Sequence, residues 1–244
     1  MLHHSKSICA ILMCLVILFS FYSVSFAESK AITFLGMPWL SDVKAVKGVV
    51  SEKLTKDLPT GEFKMASWTP PFGNNDDATI KDVPTYTLTY EGRYYYQVAG
   101  YNVKSLDIDF VPNIANETYS TTDYSTYQMI RACYGFDKDN VNDFSDIFTG
   151  LEKKLTSLYG ERADTYHESL PSVGFSADGI VWKGDDDSMI ILRHANSYNV
   201  YIGHMEGVYL NYYYTNSDHI MNVTNLVPVT DGVGNPDVGS TSGL

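Results

Sequence analysis

The chain has 244 residues, a formal net charge of −12 and an aromatic content of 14%. This length suits one domain with a sizeable core, or two small halves. The acidity disfavours nucleic acid and anionic membrane surfaces as partners, because both would repel the protein.

The first 27 residues have the pattern of a secretory signal peptide. Lys6 precedes an apolar run over 8–21, and Ser25 and Ala27 occupy the small-residue positions before a cut after Ala27. The run is short for the rival reading, a membrane anchor, which needs about 20 apolar residues. We therefore expect a secreted or cell-envelope protein with no membrane span once the signal is removed.

The number of cysteines limits how the fold can be stabilised. Cys9 and Cys14 lie within the signal peptide, so Cys133 is the only cysteine of the expected mature chain, 28–244. An exported chain with one cysteine has no internal disulfide, and its stability must come from packing.

The segment "ITFLGMPWLSDVKAVKGVV" predicts a strand, a corner and a helix. Gly36 permits the exit from the strand, Pro38 fixes one dihedral angle, and Trp39 can pack against the helix. Ser41 can serve as the N-cap. The helix itself is indicated by apolar residues at helical spacing, namely Val43, Val46, Val50 and Leu54. We interpret the corner as a joint between elements rather than as a binding site.

The middle of the chain predicts a loop and then strands. Residues 60–78 are rich in Pro, Gly and Asn, which indicates a loop. The segments "YTLTY", "RYYYQVAGYNV", "KSLDIDFVP" and "YQMIRACYGFD" follow, and their alternation and β-branched or aromatic content are typical of strands.

A second helix is predicted over 141–158, with Asn140 or Asp139 as its cap and Gly160 just after its end. Four strand-like segments come next: "GIVWKG", "SMIILRHA", "YNVYIG" and "GVYLNYYYT". Residues 230–244 are Gly- and Ser-rich, which predicts a disordered tail.

This order of elements favours an α+β fold. We expect antiparallel sheet with the two helices packed on one face, and a wetter, tyrosine-rich opposite face. Residues 28–229 would form a single domain, or two helix-plus-strands halves, 28–136 and 137–229. No residue-by-residue repeat establishes a duplication.

The corner resembles a pattern in small, uncharacterised exported bacterial proteins. There an aromatic residue precedes Gly-x-Pro-Trp and a helix with a Val-Lys pair, and "LEKKLTSLYGE" is similar to the Tyr-Gly-Glu helix end of the same group. The layout is also distantly similar to the SmpA/OmlA outer-membrane assembly lipoproteins and to β-lactamase-inhibitory proteins. The resemblance implies that architecture and a non-catalytic binding role, and it assigns no site. The chain departs from it at Leu40, where Gly is commoner, and in lacking a lipobox cysteine.

Motifs for catalysis, metal binding or cofactor binding do not emerge, and we assign no catalytic residue, metal ligand or cofactor. "FDKDNVND", 136–143, resembles the opening of a calcium loop, but Asn142 and Phe148 stand where that loop needs Gly and Glu. Asp185, Asp186 and Asp187 crowd a predicted hairpin turn and favour a solvated turn.

Cys133 has no base beside it in the sequence, so we interpret it as a buried structural cysteine. A Cys/His pair formed in space stays open as an alternative. The histidines available for it are His167, His194, His204 and His219.

Tyrosines supply the candidate binding residues. "YYYQVAGY" and "YLNYYYT" place tyrosines on both faces of their strands, and tyrosine suits recognition because it combines apolar area with a polar tip. Tyrosine also simply favours strands. The candidates are Tyr95, Tyr101, Tyr212 and Tyr214.

These observations favour a secreted, non-catalytic binding protein of the bacterial envelope or extracellular space. Its partner would be a protein, a peptide, a glycan or a second copy of itself. The alternatives are an exported hydrolase with a spatially assembled site and a glycan-binding module that uses exposed tyrosines.

Overall fold

Antiparallel strand pairing dominates the chain. The computed structural model describes residues 31–57, 59–68, 79–91, 96–138, 143–199 and 203–229. The expected signal peptide and tail lie outside these residues. Within them, no helix has the length and hydropathy needed to cross a membrane.

Three α-helices occur among the described residues. They are α1 (Val43–Lys53), α2 (Phe144–Tyr159) and α3 (Ser217–Val223). The strands of the first half are β1 (Thr60–Trp68), β2 (Ile80–Glu91), β3 (Gln97–Val98), β4 (Tyr101–Val111), β5 (Thr118–Ser120) and β6 (Gln128–Phe136). Those that follow are β7 (Asp164–Leu170), β8 (Phe175–Lys183), β9 (Ser188–Asn199), β10 (Gly203–Tyr214) and β11 (Val227–Val229), with a 3₁₀ turn at Pro171–Val173.

One nine-stranded sheet holds most of these strands, in the order β1-β2-β4-β6-β10-β9-β8-β7, with β3 paired to β4. Every neighbouring pair in it is antiparallel. The strands β11 and β5 form a separate parallel pair. The strand order is symmetric: each half is a helix followed by a four-stranded meander, and the last strands of the two meanders, β6 and β10, pair at the centre.

One side of the sheet, which we call the helix face, carries the main core. A continuous cross-strand row illustrates it: Leu88, Ile108, Ala132, Tyr212, Ile190 and Trp182. The buried stripes of α1 and α2 belong to the same core cluster. Their shared pattern, apolar side chains three or four residues apart, is what makes both segments helical and amphipathic.

The other side, which we call the open face, carries the alternate residues of each strand. One of its rows runs Thr87, Asp109, Arg131, Tyr213 and Met189. It is not uniformly wet, because α3 lies on it: Ile220 and Val223 of α3 are fully buried in one cluster with Val83, Val111 and Ile130.

The predicted α+β class was wrong. Of the described residues, 51% are in strands and 21% are in helices, so the fold is β-rich. The interpretation of 60–78 as a loop missed β1, an edge strand whose residues are mostly exposed and which therefore shows no clean apolar alternation. The strand β7 and the helix α3 were missed for a related reason, since seven residues give too short a pattern to read.

The corner before α1 is held by specific hydrogen bonds. Gly36 has a φ of +78°, which favours glycine, and the Trp39 indole donates to the carbonyl of Ile32 at 2.8 Å. Asp42, rather than the predicted Ser41, caps α1 by accepting from the backbone N–H of Ala45. The hydroxyl of Ser41 donates instead to the carbonyl of Pro38 at 2.7 Å.

We expect Trp39→Ala to destabilise the fold by about 3 kcal/mol, because it removes a half-buried ring that stacks on Tyr214 as well as the bond to Ile32. Trp39→Phe is the matched control and should cost less, since it keeps an aromatic ring. Urea unfolding measures both. An unchanged midpoint for Trp39→Ala would show that the corner does not depend on this ring.

Alanine substitution at two glycines within helices should change the stability of the fold in opposite directions. A Cβ at Gly48 would meet no described heavy atom within 4 Å, whereas one at Gly150 would overlap the hydroxyl of Tyr101. Gly48→Ala should therefore stabilise the protein by about 1 kcal/mol through helix propensity, and Gly150→Ala should destabilise it. Thermal melts of the two variants, and of Gly150→Ala combined with Tyr101→Phe, test this. Equal shifts for both single variants would contradict the packing role of Tyr101.

Candidate binding groove on the open face

The structure places three of the four candidate tyrosines in packed positions. The Tyr101 hydroxyl donates to the carbonyl of Asp146 at 3.4 Å, and its ring lies 5.6 Å below the Lys154 ammonium. Tyr212 belongs to the helix face, and burial raises its pKa. Tyr214 contacts Trp39 and His219. Tyr95 lies outside the described residues, and the other three do not form one surface.

Gly160, predicted as a structural residue, lies at the C-terminal end of α2. It follows α2 with a φ of +85°, and its N–H donates to the carbonyl of Thr156 at 2.9 Å. Its own carbonyl accepts from the indole of Trp182 at 3.2 Å. The backbone at Gly160 therefore ends the helix and also fixes a core ring.

Cys133 is buried, and burial raises the pKa of its thiol, so the reactive thiolate is disfavoured. The described histidines nearest to carboxylates lie elsewhere: His167 contacts Asp178 at 2.7 Å, and His194 contacts Glu206 at 2.5 Å. A nucleophile and base are not brought together by these contacts.

The acidic segments also have local partners. Asp143, at the end of the calcium-like motif, caps α2, and Asp187 accepts from the amide of Asn216 at 3.0 Å. Residues 139–142 of that motif lie outside the described residues. Across the described ranges, no group of three His, Cys, Asp or Glu residues could hold a metal ion.

The open face does contain a groove, at the corner where β7, β8, β9 and β10 meet. The floor includes a cross-strand pair of small residues, Ala195 and Gly207. Larger side chains stand in the rows on both sides of it. The result is a cavity of about 400 Å³, adjoined by a second of about 290 Å³.

Apolar side chains are unusually exposed around this groove. Leu170 is 48% exposed, Val173 62%, Met205 43% and Tyr198 60%, and all four line the larger cavity. Tyr198 is also the only tyrosine among the described residues that is classed as exposed. A cluster of such residues rimmed by polar groups is typical of an interaction site.

Arg193 supplies the polar group of the groove. Its guanidinium lies 5.7 Å from the centre of the Tyr209 ring, and its side chain is 20% exposed. The nearest carboxylate, Glu168, is 3.6 Å away and accepts a 2.5 Å hydrogen bond from Tyr166. The Nε atom of Arg193 is buried and has no hydrogen-bond partner among the described residues. A bound group cannot reach that buried atom, and the guanidinium also bonds to the Tyr166 side chain, so contact with a partner would come from the exposed fifth of the side chain that lines the cavity.

Sequence reasoning did not find this groove. Its residues come from four strands and the 3₁₀ turn and are spread from 168 to 209, so no local spacing reveals them. The one available signal was Arg193 itself, a charged residue directly after the apolar run "MIIL".

Comparisons with known proteins add no relative: no family model, no curated protein and no solved structure matches the chain.

We expect the thiol of Cys133 to react with a disulfide reagent at least about 100-fold more slowly in the folded chain 28–244 than in urea, because burial protects it. The matched control is Cys133→Ser combined with Met65→Cys, which moves the thiol to a position that is 49% exposed. Comparable rates for both folded proteins would restore Cys133 as a candidate nucleophile.

Proposed function

We propose that the protein is an exported, non-catalytic binding protein of the bacterial envelope or extracellular space, and that it binds a partner protein through the groove at β7–β10. The observation that carries the proposal is the cluster of exposed apolar side chains around the partly exposed cation of Arg193. Export rests on the signal-peptide pattern of residues 1–27.

The energetics favour a protein partner. Covering Leu170, Val173 and Met205 would remove apolar area from water, the main favourable term in protein association. A carboxylate or carbonyl of the partner could accept from Arg193, and a charge-assisted bond of that kind adds orientation as well as affinity.

The two alternatives have less support. A glycan-binding module would need coplanar exposed tyrosines, and the described tyrosines are mostly packed against other rings, as in the stacked pair Tyr86 and Tyr124. A hydrolase would need convergent reactive groups, and those in the described part of the chain are separately paired, as in His194 with Glu206.

The test is retention of partner proteins from the envelope fraction of the source cells on immobilised chain 28–244. Met205→Glu places a charge in the groove, and we expect it to lower the affinity for the retained protein at least about tenfold. Met65→Glu is the matched control, because Met65 is similarly exposed, 49% against 43% for Met205, but lies on β1, at the opposite edge of the sheet.

Retention of the same proteins by the wild type and by both variants would contradict the proposal. So would equal losses for the two variants, because these would indicate general charge effects. Circular dichroism confirms that each variant is folded before binding is compared.

A further inference from the structure

The symmetric strand order gives the groove a counterpart in the first half of the sheet. The groove lies on the open face at one end of the second meander, beside the end of β7, the start of β8, the end of β9 and the start of β10. The corresponding strand ends in the first half are the end of β1, the start of β2, the end of β4 and the start of β6.

In the first half this corner is covered by the chain itself. Val83 near the start of β2, Val111 at the end of β4 and Ile130 near the start of β6 form one cluster. The helix α3 lies on it with Ile220 and Val223, three residues apart, and all five side chains are at most 1% exposed.

In the second half the matching positions have no such cover among the described residues. Phe175 begins β8, Ser197 lies near the end of β9, and Met205 lies near the start of β10. Leu170 ends β7, as Trp68 ends β1. Here Leu170 and Met205 stay about half exposed, and the space above them is the cavity of about 400 Å³.

From this comparison we infer that the groove binds a short amphipathic helix of a partner protein, docked as α3 docks in the first half. Two apolar side chains of that helix, three or four residues apart, would fill the space beside Phe175 and Met205. A carboxylate on the same helix would accept from Arg193. The inference rests on the proposed binding function and specifies the element that is bound.

The geometry favours a helix over an added strand. Strand addition needs a free sheet edge. The free edge of β7 lies at one side of the groove, whereas the rest of the groove lies over β8, β9 and β10, each of which is paired on both sides. The four strands span about 14 Å at the usual strand spacing, and a helix of about nine residues has the same length.

The chain's own segments are poor occupants. Ile220 and Val223 are already buried in the first corner, and α3 follows β10 after only two residues, which ties it there. Residues 230–244 contain three large apolar residues, Val233, Val238 and Leu244, whose spacing of five and six does not make a helical stripe. A separate protein is therefore the occupant that the observations favour.

The experiment is a selection from displayed 12-residue random peptides against the folded chain 28–244, with counter-selection against Met205→Glu. We expect enriched peptides to carry apolar residues at i and i+3 or i+4 with an adjacent Asp or Glu, and to become helical on binding. Met205→Glu or Leu170→Glu should weaken a selected peptide at least about tenfold, and Met65→Glu should not.

Arg193→Gln tests the charge. It should lower the affinity for the acidic peptide about fivefold. A peptide in which an amide replaces the carboxylate should bind the wild type and Arg193→Gln with equal affinity. Equal effects of Arg193→Gln on both peptides would overturn the assigned carboxylate contact.

Some selected peptides could lose affinity on Met205→Glu but show the alternating pattern of a strand or a central proline. Such peptides would contradict the inferred helix and still support binding in the groove. The same conclusion would follow if no selected peptide depended on Met205 while Met205→Glu still abolished the retention of envelope proteins. If neither peptides nor envelope proteins depend on Met205, both the helix and the proposed function fail.

Discussion

The antiparallel pairing of β6 with β10 is the interaction on which the rest of the structure depends. It joins two four-stranded meanders into one sheet, with Cys133 opposite Asn211 at its centre. Arg131 reinforces it from the open face, donating to Asp109 of β4 at 2.7 Å and to Asn211 of β10 at 3.2 Å. Asn211 is fully buried, and its side-chain oxygen accepts from the Tyr213 hydroxyl at 3.4 Å as well as from Arg131, so the correct register of the central pair supplies this buried oxygen with donors.

Joining the meanders through their last strands also determines where the two open-face corners lie. The first strands of each half become the outer edges, β1 and β7, and the two corners fall at corresponding places on one face. Among the described residues, one helix, α3, follows the last strand of the sheet, and it covers the first corner. The asymmetry of the surface thus follows from connectivity: one corner becomes core and the other stays a groove.

The sequence predicted the elements that carry strong local patterns. The buried residues of α1, Val43, Val46 and Val50, are those that its helical spacing indicated, and most central strands were recognised from β-branched and aromatic runs. The missed elements have weak patterns. The strand β1, for example, is a mostly exposed edge strand, so its sequence does not alternate regularly between apolar and polar residues. The sequence shows that tyrosines lie on both faces of their strands, but it does not show which of them have aromatic partners: the Tyr212 ring lies 5.9 Å from Phe34, 178 positions earlier in the chain. The groove could not be predicted for the same reason, because its residues come together only through the pairing of β7, β8, β9 and β10 in the folded sheet.

Two arginines flank β10 on the open face, and their difference explains why one corner of this face suits recognition. Both guanidinium groups lie close to a tyrosine ring, 5.8 Å for Arg131 and 5.7 Å for Arg193. Both terminal nitrogens of Arg131 donate within the sheet, one to the Asp109 carboxylate at 2.7 Å and one to the Asn211 amide oxygen at 3.2 Å. Arg193 bonds to the side chain of Tyr166 and has its carboxylate, Glu168, at 3.6 Å. Burial and the bond to Glu168 raise the pKa of Tyr166 to about 12. Because a partly buried charge gains most from the bond that completes its pairing, a partner that supplies an acceptor at Arg193 would gain affinity and orientation that binding at Arg131 could not provide.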